Sequence, residues 1–489
     1  MPNFIVVNNP KTWPFKIPNV EVVEARKYLT HAEFGERKGV KLFNLCRSYK
    51  YQSTGYYVTL LAAARGHRPL PSIATFQDLR SPSMARIVSE ELDELIQKSL
   101  ARVESEEFVL SVYFGRNLAK RYDRLSRELF NLLQGPLLRA RFVNHDKWVL
   151  KSLAPVSMGD VPESHRDFIV GVATEYFGGR RPRRKKKKVA KYDLAILVNP
   201  KEELPPSDER AIRRFVDAAE DVGLAADVIG PEDYSRLAEY DALFLRETTY
   251  VNHHTYRFAR RAAFEGLVVI DDPESIVKCT NKVFLAELLK RHGVPTPETL
   301  VVHKDNVEDL RGALGFPMVL KKPDSSFSHG VVKVDDEAAL NAAMAEFFGE
   351  SDLLVAQEFR PTEFDWRIGV LAGRALYACK YYMAHRHWQI YKHGASGASI
   401  AGRWETISVN KAPRVAVELA RKAAGLMGNG LYGVDLKQDK KEFLVIEVND
   451  NPSIESGVED RILGDELYRR IMKVIFERIE KKKMEAVHG

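Results

Sequence analysis

Apolar and polar positions along the chain alternate between a period of two and a period near 3.6, the signatures of strand and helix. Phe4-Ile-Val-Val, Val20-Glu-Val-Val-Glu and Val40-Lys-Leu-Phe-Asn-Leu-Cys46 read as strands. Tyr51-Gln-Ser53-Thr54-Gly55-Tyr56-Tyr57 opens a helix through Ala62-Ala-Ala-Arg65 that stops at Gly66, and residues 90–103 read as an amphipathic helix. A second alternation begins with the strand Tyr192-Asp-Leu-Ala-Ile-Leu-Val. Ser207 is placed to cap a helix that runs to about Val222, and Ala226-Asp-Val-Ile, Ala242-Leu-Phe-Leu and Leu267-Val-Val-Ile270 follow as strands around a helix over 255–266. That order predicts a small parallel sheet with helices on its faces.

From residue 271 onward the layout becomes α+β. A helix from Asn281-Lys282 to Gly293 leads to strands at Thr299-Leu-Val-Val, Pro317-Met-Val-Leu-Lys321 and Val331-Val-Lys-Val. Helices over 307–314 and 337–348, a strand ending Gln357-Glu358-Phe359, strands over 364–371 and 375–383, and a helix over 413–427 follow. Two strands then carry Tyr432-Gly-Val-Asp435 and Phe443-Leu-Val-Ile-Glu447-Val-Asn449-Asp-Asn451-Pro452. The expected architecture is a multidomain α/β and α+β protein: an αβ domain over 1–178, a linker over 179–191, a parallel-sheet domain over 192–275 and a C-terminal domain over 276–489. No internal repeat is visible in the sequence.

Composition adds little until the charge is located. The chain has 489 residues, 45% hydrophobic and 29% charged, with a net charge of +7. Arg180-Arg181-Pro-Arg183-Arg184-Lys185-Lys186-Lys187-Lys188 carries eight of the positive charges, and the rest of the chain is left near −1. The basicity is one run, which reads as a self-repelling linker rather than a nucleic-acid-binding field. Cys46, Cys279 and Cys379 are far apart, odd in number and form no C-x-x-C, which argues against a disulfide framework or a zinc ribbon and fits a reducing cytoplasm. No stretch approaches the roughly 18 apolar residues of a membrane helix, and Met1-Pro-Asn-Phe-Ile lacks the features of a secretory signal.

The chemistry concentrates in the C-terminal part. Strand alternation places Glu447, Asn449 and Asn451 on one face, and the paired strand brings Asp435 beside them. Hard oxygen donors so grouped suit Mg²⁺ or Mn²⁺ better than zinc, with Val445, Ile446 and Val448 holding the strand. Solvated strand ends are the plainer reading. Lys321 ends an apolar strand before the loop Asp324-Ser325-Ser326-Phe-Ser328-His329, as a phosphate-neutralising lysine or as an exposed strand end. Gln357-Glu358-Phe359 offers polar and aromatic groups to a purine edge. Asp365 and Arg367 share a strand face, as an ion pair or as ribose- and phosphate-binding groups.

In this order, Pro317-Met-Val-Leu-Lys321, Gln357-Glu358-Phe359, Asp365-Trp-Arg367, Gly433-Val-Asp435 and Glu447-Val-Asn449 resemble the ATP-grasp superfamily, and within it the branch like the ribosomal-protein S6 glutamate ligase. The N-terminal region resembles the domain found ahead of such enzymes, with Tyr51-Gln-Ser-Thr-Gly-Tyr-Tyr as its clearest stretch. The resemblance implies a pre-ATP-grasp domain over 192–275 and an ATP-grasp fold over 276–489. It further implies that Lys282 and Lys321 hold ATP phosphates, Glu358 and Phe359 contact adenine, and Asp365 binds the ribose. Asp435, Glu447 and Asn449 would hold two Mg²⁺ ions, with Mn²⁺ also suited. The implied activity is ATP-dependent amide formation through an acyl phosphate. Its partners would be a carboxylate donor and an amino-acid or peptide acceptor, with glutamate addition expected and a homo-oligomer compatible.

Some positions depart from that pattern. The phosphate loop has no glycine before Gly330. Where the S6 ligase has an arginine near the triphosphate, this chain reads His387-Trp388-Gln389-Ile-Tyr391-Lys392, and Arg386, Lys380 or Lys392 are the replacement cations, with Arg367 the best in line. Arg367 and Lys380 are therefore the catalytic candidates. Gly428-Asn-Gly430-Leu-Tyr-Gly433 matches G-x-G-x-x-G but runs from helix to strand, the reverse of a dinucleotide turn. His385 and His387 lack nearby acidic or cysteine partners for zinc. A nucleotide-binding regulatory protein using the basic run is the alternative to a ligase.

Overall fold

The computed structural model describes residues 3–488 apart from 14–16, 18–19, 38–39, 73–74, 76–81, 134, 179–189, 305, 325–329, 385–387 and 394–398. The chain forms two compact units, Met1–Lys185 with Tyr234–Glu239, and Lys186–Asp233 with Tyr240–Gly489.

In the first unit, β1 (Asn3–Val7), β2 (Val20–Glu24), β3 (Lys41–Asn44) and β4 (Arg68–Leu70) make a parallel sheet in the order β2-β1-β3-β4. Val and Ile fill both faces of β1, all five residues of which are buried, as a strand covered on two sides requires. An antiparallel sheet, β5 (Glu107–Tyr113), β6 (Leu137–Asn144) and β7 (Trp148–Pro155), follows. Ile5, Val7 and Phe43 share a core with the helix Arg166–Gly178. The expected single helix over 90–103 is two helices, Pro82–Glu91 and Asp93–Leu100.

The second unit opens with another parallel sheet, β8 (Tyr192–Leu197), β9 (Leu224–Ile229), β10 (Ala242–Leu245) and β11 (Val268–Ile270), in the order β9-β8-β10-β11. This is the strand order of the first sheet. The agreement extends further. Helices Thr54–Ala64 and His254–Phe264 are each 11 residues long. Each is closed by a left-handed glycine, Gly66 at φ 69° and Gly266 at φ 78°, whose N–H bonds to Ala63 and Ala263 respectively. Burial repeats position for position between 51–67 and 251–267. The chain thus contains a structural repeat offset by about 200 residues, which sequence reading missed. Helix Glu209–Val222 is capped by Asp208, which accepts from the Ala211 N–H, and not by Ser207. The Ser207 hydroxyl instead donates to the Ile454 carbonyl and accepts from Arg246.

Two antiparallel sheets complete this unit. The first is ordered β12 (Thr299–Val302), β15 (Leu354–Glu358), β13 (Met318–Lys321), β14 (Val331–Val334), and packs on helix Glu337–Phe347 through Leu320, Ala356 and Leu340. The helix expected over 307–314 shrinks to Asp309–Ala313. The second comprises β16 (Phe364–Leu371), β17 (Arg374–Tyr382), β20 (Trp404–Ile407), β21 (Leu431–Asp439) and β22 (Glu442–Asp450), ordered β20-β17-β16-β21-β22. A short ribbon, β18 (Tyr391–His393) with β19 (Ser399–Ala401), lies between β17 and β20 in sequence. Trp366, Ile368, Val434 and Val448 pack on helix Arg414–Met427 from one face of the five-stranded sheet. Tyr377, Cys379 and Tyr381 on the other face join the core formed by β8, β10 and helix Asp465–His488.

Candidate functional site

The site is built where β13, β15, β16, β21 and β22 present polar side chains to one cavity of about 230 Å³. β21 and β22 are antiparallel, and Asp435 lies directly across from Glu447. A bulge follows. Asp435 pairs with Glu447 while Leu436 pairs with Val445, so Ile446 is the extra residue. The consecutive side chains Ile446 and Glu447 both reach the cavity, whereas Val445 and Val448 stay in the core. Ile446 is therefore part of the cavity wall, not of the support expected for it.

Nine of the predicted residues line this cavity: Lys282, Lys321, Glu358, Phe359, Asp365, Arg367, Asp435, Glu447 and Asn449. Arg367 grips Asp435 in a bidentate pair, Nε to Oδ1 at 2.7 Å and Nη2 to Oδ2 at 2.8 Å. The Asn449 amide donates to the same Asp435 carboxylate at 3.2 Å. Lys282 opens the helix Lys282–Arg291, whose N-cap Asn281 accepts from the Phe284 N–H, and its Nζ lies 3.3 Å from Glu447. Lys321 donates to the Gln357 side chain at 2.8 Å, and Gln357 donates in turn to Thr299. Burial would raise Glu447, but Lys282, Lys321 and Arg367 outweigh it and hold the carboxyl below its usual range. Burial raises Asp435 despite Arg367. Burial, with Lys282 and Lys437 nearby, lowers Lys321 to about 8.

Apolar side chains also line the cavity. Val319, Val331, Phe359, Ile446 and Pro297 line it beside Glu358 and Arg360, which pair at 3.0 Å. Phe359 stands edge-on to Trp388 with centroids 5.9 Å apart. Asp365 accepts from Thr362 and Lys437. Lys437 was not foreseen, although it stands two positions after Asp435 and so shares its face.

Lys380 is not brought to the cavity. It pairs across the sheet with Trp366, on the face opposite Arg367, where its ammonium lies over the Trp366 ring and 3.4 Å from Glu405. Asn451 is structural: its side chain donates to the Glu247 carbonyl and accepts from Arg246. The loop residues Ser325–His329, the stretch His385–His387 with Arg386, and the basic run Arg180–Lys188 lie outside the described residues. Sequence reading also missed the wall formed by Thr248, Thr249, Tyr250 and Asp450. It follows Glu247, which is braced by His254 at 2.8 Å and Asn199 at 3.0 Å. Glu247, His253 and His254 have ligand atoms within 4.8 Å of one another, but Glu247 and His254 already satisfy each other.

Residues 279–475 match the RimK-like ATP-grasp domain, and residues 25–171 match the RimK-like ATP-grasp N-terminal domain. An alpha-aminoadipate–LysW ligase, LysX, from Sulfolobus acidocaldarius is 30% identical over 236 residues, 46% of this chain and 80% of the relative. The chain belongs to the RimK-like ATP-grasp family. Its members named here are ligases, and ATP-grasp ligases form carbon–nitrogen bonds. A protein named probable alpha-L-glutamate ligase from Vibrio vulnificus is 28% identical over 249 residues, 50% of this chain and 78% of the relative. Among solved structures, a D-alanine–D-alanine ligase from Bacillus anthracis superposes with a TM-score of 0.46 at 14% identity, covering 60% of this chain and 99% of that one. A RimK domain ATP-grasp protein from Sphaerobacter thermophilus gives 0.44 at 17% identity, covering 57% and 98%. Among the described residues, no helix is long and apolar enough to cross a membrane.

Proposed function

We propose that the chain joins the carboxylate of one substrate to the amine of another at the expense of ATP, through an acyl phosphate, and that one substrate is an acidic amino acid such as glutamate. The observation that supports this most is the meeting of Lys282, Lys321 and Arg367 with Asp435, Glu447 and Asn449 in one cavity. Three cations suit a triphosphate, and three hard oxygen donors on rigid paired strands suit Mg²⁺. Arg367 and Lys282 balance the charge of the two carboxylates. Bound at Asp435, Glu447 and Asn449, two Mg²⁺ ions would neutralise charge on the phosphates.

The apolar lining residues Phe359, Val319, Val331 and Ile446 accept the adenine ring, with Glu358 at its edge and Asp365 toward the ribose. Lys321 and Lys282 bind the phosphates. Arg367, released from Asp435, is placed to steady the phosphoryl group as it passes to the substrate carboxylate. The amine nitrogen, as the free base, then attacks the acyl carbon, phosphate leaves with the electron pair of the broken bond, and the nitrogen releases a proton to solvent. Both relatives carry names of ligases for acidic amino acids, which favours glutamate or 2-aminoadipate as one partner.

The test is a mass-spectrometric screen of amino acids and short peptides with ATP and Mg²⁺, run beside an ADP-release assay. Amide product together with ADP release that depends on the added amino acid supports the reading. ADP release indifferent to any carboxylate or amine, or unaffected by Glu447→Ala, overturns it.

A further inference from the structure

Two neighbouring acidic side chains, one of them lining the cavity, take no part in the phosphate-binding arrangement. Asp450 lines the cavity, is 7% exposed, and accepts a hydrogen bond from the Thr249 hydroxyl at 2.7 Å. Behind it Asp271 is 1% exposed, and neither of its carboxylate oxygens completes a hydrogen bond. The two are close enough that the Asp450 charge adds to burial in raising Asp271. The Asn451 backbone N–H and Arg246 favour the Asp271 charge. Arg246 nevertheless directs its hydrogen bonds elsewhere, to Ser207, Asn451 and the carbonyls of Pro206 and Pro452. The remaining acid nearby, Asp272, is committed to Ser275 and the N-terminal amides of its own helix. Cys279, which also faces the pair, contributes no positive charge.

The result is a carboxyl pair, one member of it at the cavity, with unfilled acceptor capacity in a place where unpaired polar groups are costly. Asp450 adjoins Asn449 in sequence, and both residues line the same cavity. The group that suits it is a small cation with several N–H donors, which describes a primary ammonium. An amine substrate at neutral pH arrives in that form. We propose that Asp450, held by Thr249 and backed by Asp271, recognises the ammonium group of the amine substrate. The inference rests on the carboxylate–amine ligase reading and adds to it a binding residue and a charge requirement on the second substrate.

The experiment sets two nucleophiles against each other for one acyl phosphate. The full-length protein receives ATP, Mg²⁺ and common amino acids as carboxylates, with methylamine, a cation, and hydroxylamine, which is uncharged at neutral pH. Mass spectrometry reads the ratio of N-methylamide to hydroxamate. That ratio is independent of how much active enzyme a variant retains. Asp450→Asn and Asp271→Asn are each expected to lower it by about tenfold, the scale of a lost hydrogen bond to a charged group. Asp450→Glu, which keeps the charge, should hold the ratio nearer the wild type. An unchanged ratio in both Asn variants overturns this proposal and leaves the ligase reading standing. A wild-type protein that makes neither product from any amino acid overturns the ligase reading, and this site with it.

Discussion

Arg367 and Lys380 sit on neighbouring strands with the same charge, and only Arg367 reaches the cavity. Arg367 lies opposite Cys379 and Lys380 opposite Trp366, so the two cations leave the sheet by different faces. Counting parity along β17 from a fixed register would have separated them, but the register is set by the bulge between Gly369 and Val370, which nothing in the sequence marks. Arg367→Met should therefore lower turnover by about 10²-fold, the scale of losing one stabilising donor at a developing charge. Lys380→Met, which breaks an exposed pair with Glu405, should change turnover by less than about twofold. Steady-state kinetics on both variants checks this, and equal losses would contradict the face assignment. A second residue makes a pH prediction. Glu459 is buried, accepts from the Tyr381 hydroxyl, and is raised to about 7, chiefly by burial. Tyr377, Cys379, Arg246 and Glu455 are the other titratable groups whose charges act with it. The folded state therefore binds more protons than the unfolded chain between the ordinary value of 4.5 and about 7. The stability this contributes is complete below 4.5 and is lost as pH rises through 7, about 3 kcal/mol in all. Urea unfolding at pH 5 and pH 8 should show that loss in the wild type and a smaller one in Glu459→Gln.

At the scale of elements, the β21–β22 hairpin carries the site, and period-two reading recovered most of it. Asp435, Glu447 and Asn449 were placed together from alternation alone, and Asp435 does face Glu447. What alternation could not supply was the bulge at Ile446, because an extra residue leaves no mark in a run of Leu, Val and Ile. Lys437 was legible in principle, two residues beyond Asp435, and was passed over because a lysine near a turn reads as solvated. Gly433 shows why this hairpin tolerates little change. A Cβ there would lie 2.7 Å from the Pro452 Cβ and 3.6 Å from the Arg367 Cδ. Gly433→Ala must push the Pro452 turn away from β21, beside both Asn449 and Arg367. The expected cost is about 1–3 kcal/mol of stability, as for other overpacked interiors, together with weakened Mg²⁺ dependence of ATP turnover. Thermal melts and Mg²⁺ titrations of ATP turnover measure the two effects. A variant with unchanged melting and unchanged Mg²⁺ response would mean that the turn yields freely.

At the scale of the whole chain, the sequence shows one parallel-sheet domain where the structure holds two of the same order. The two helices that follow β3 and β10, with their closing glycines, share Tyr56 and Tyr256, Ala62 and Ala262, Ala63 and Ala263, and Gly66 and Gly266, too few identities to stand out. Burial and turn geometry repeat almost completely because they depend on which positions are apolar, not on which apolar residue fills them. The chemistry did not follow the fold. Where the second copy has Arg246, Glu247, Thr248 and Thr249 after its third strand, the first has Leu45, Cys46, Arg47 and Ser48. Cavity and catalytic candidates lie within the second unit, whose three cores are composed of its own residues. We accordingly expect a fragment spanning residues 190–489 to fold cooperatively and to bind ATP with the affinity of the full chain, because every residue assigned to nucleotide and metal belongs to it. Circular dichroism melts and isothermal titration with ATP and Mg²⁺ provide the check. A fragment that melts cooperatively but no longer binds ATP would overturn the assignment of the nucleotide site to the second unit alone.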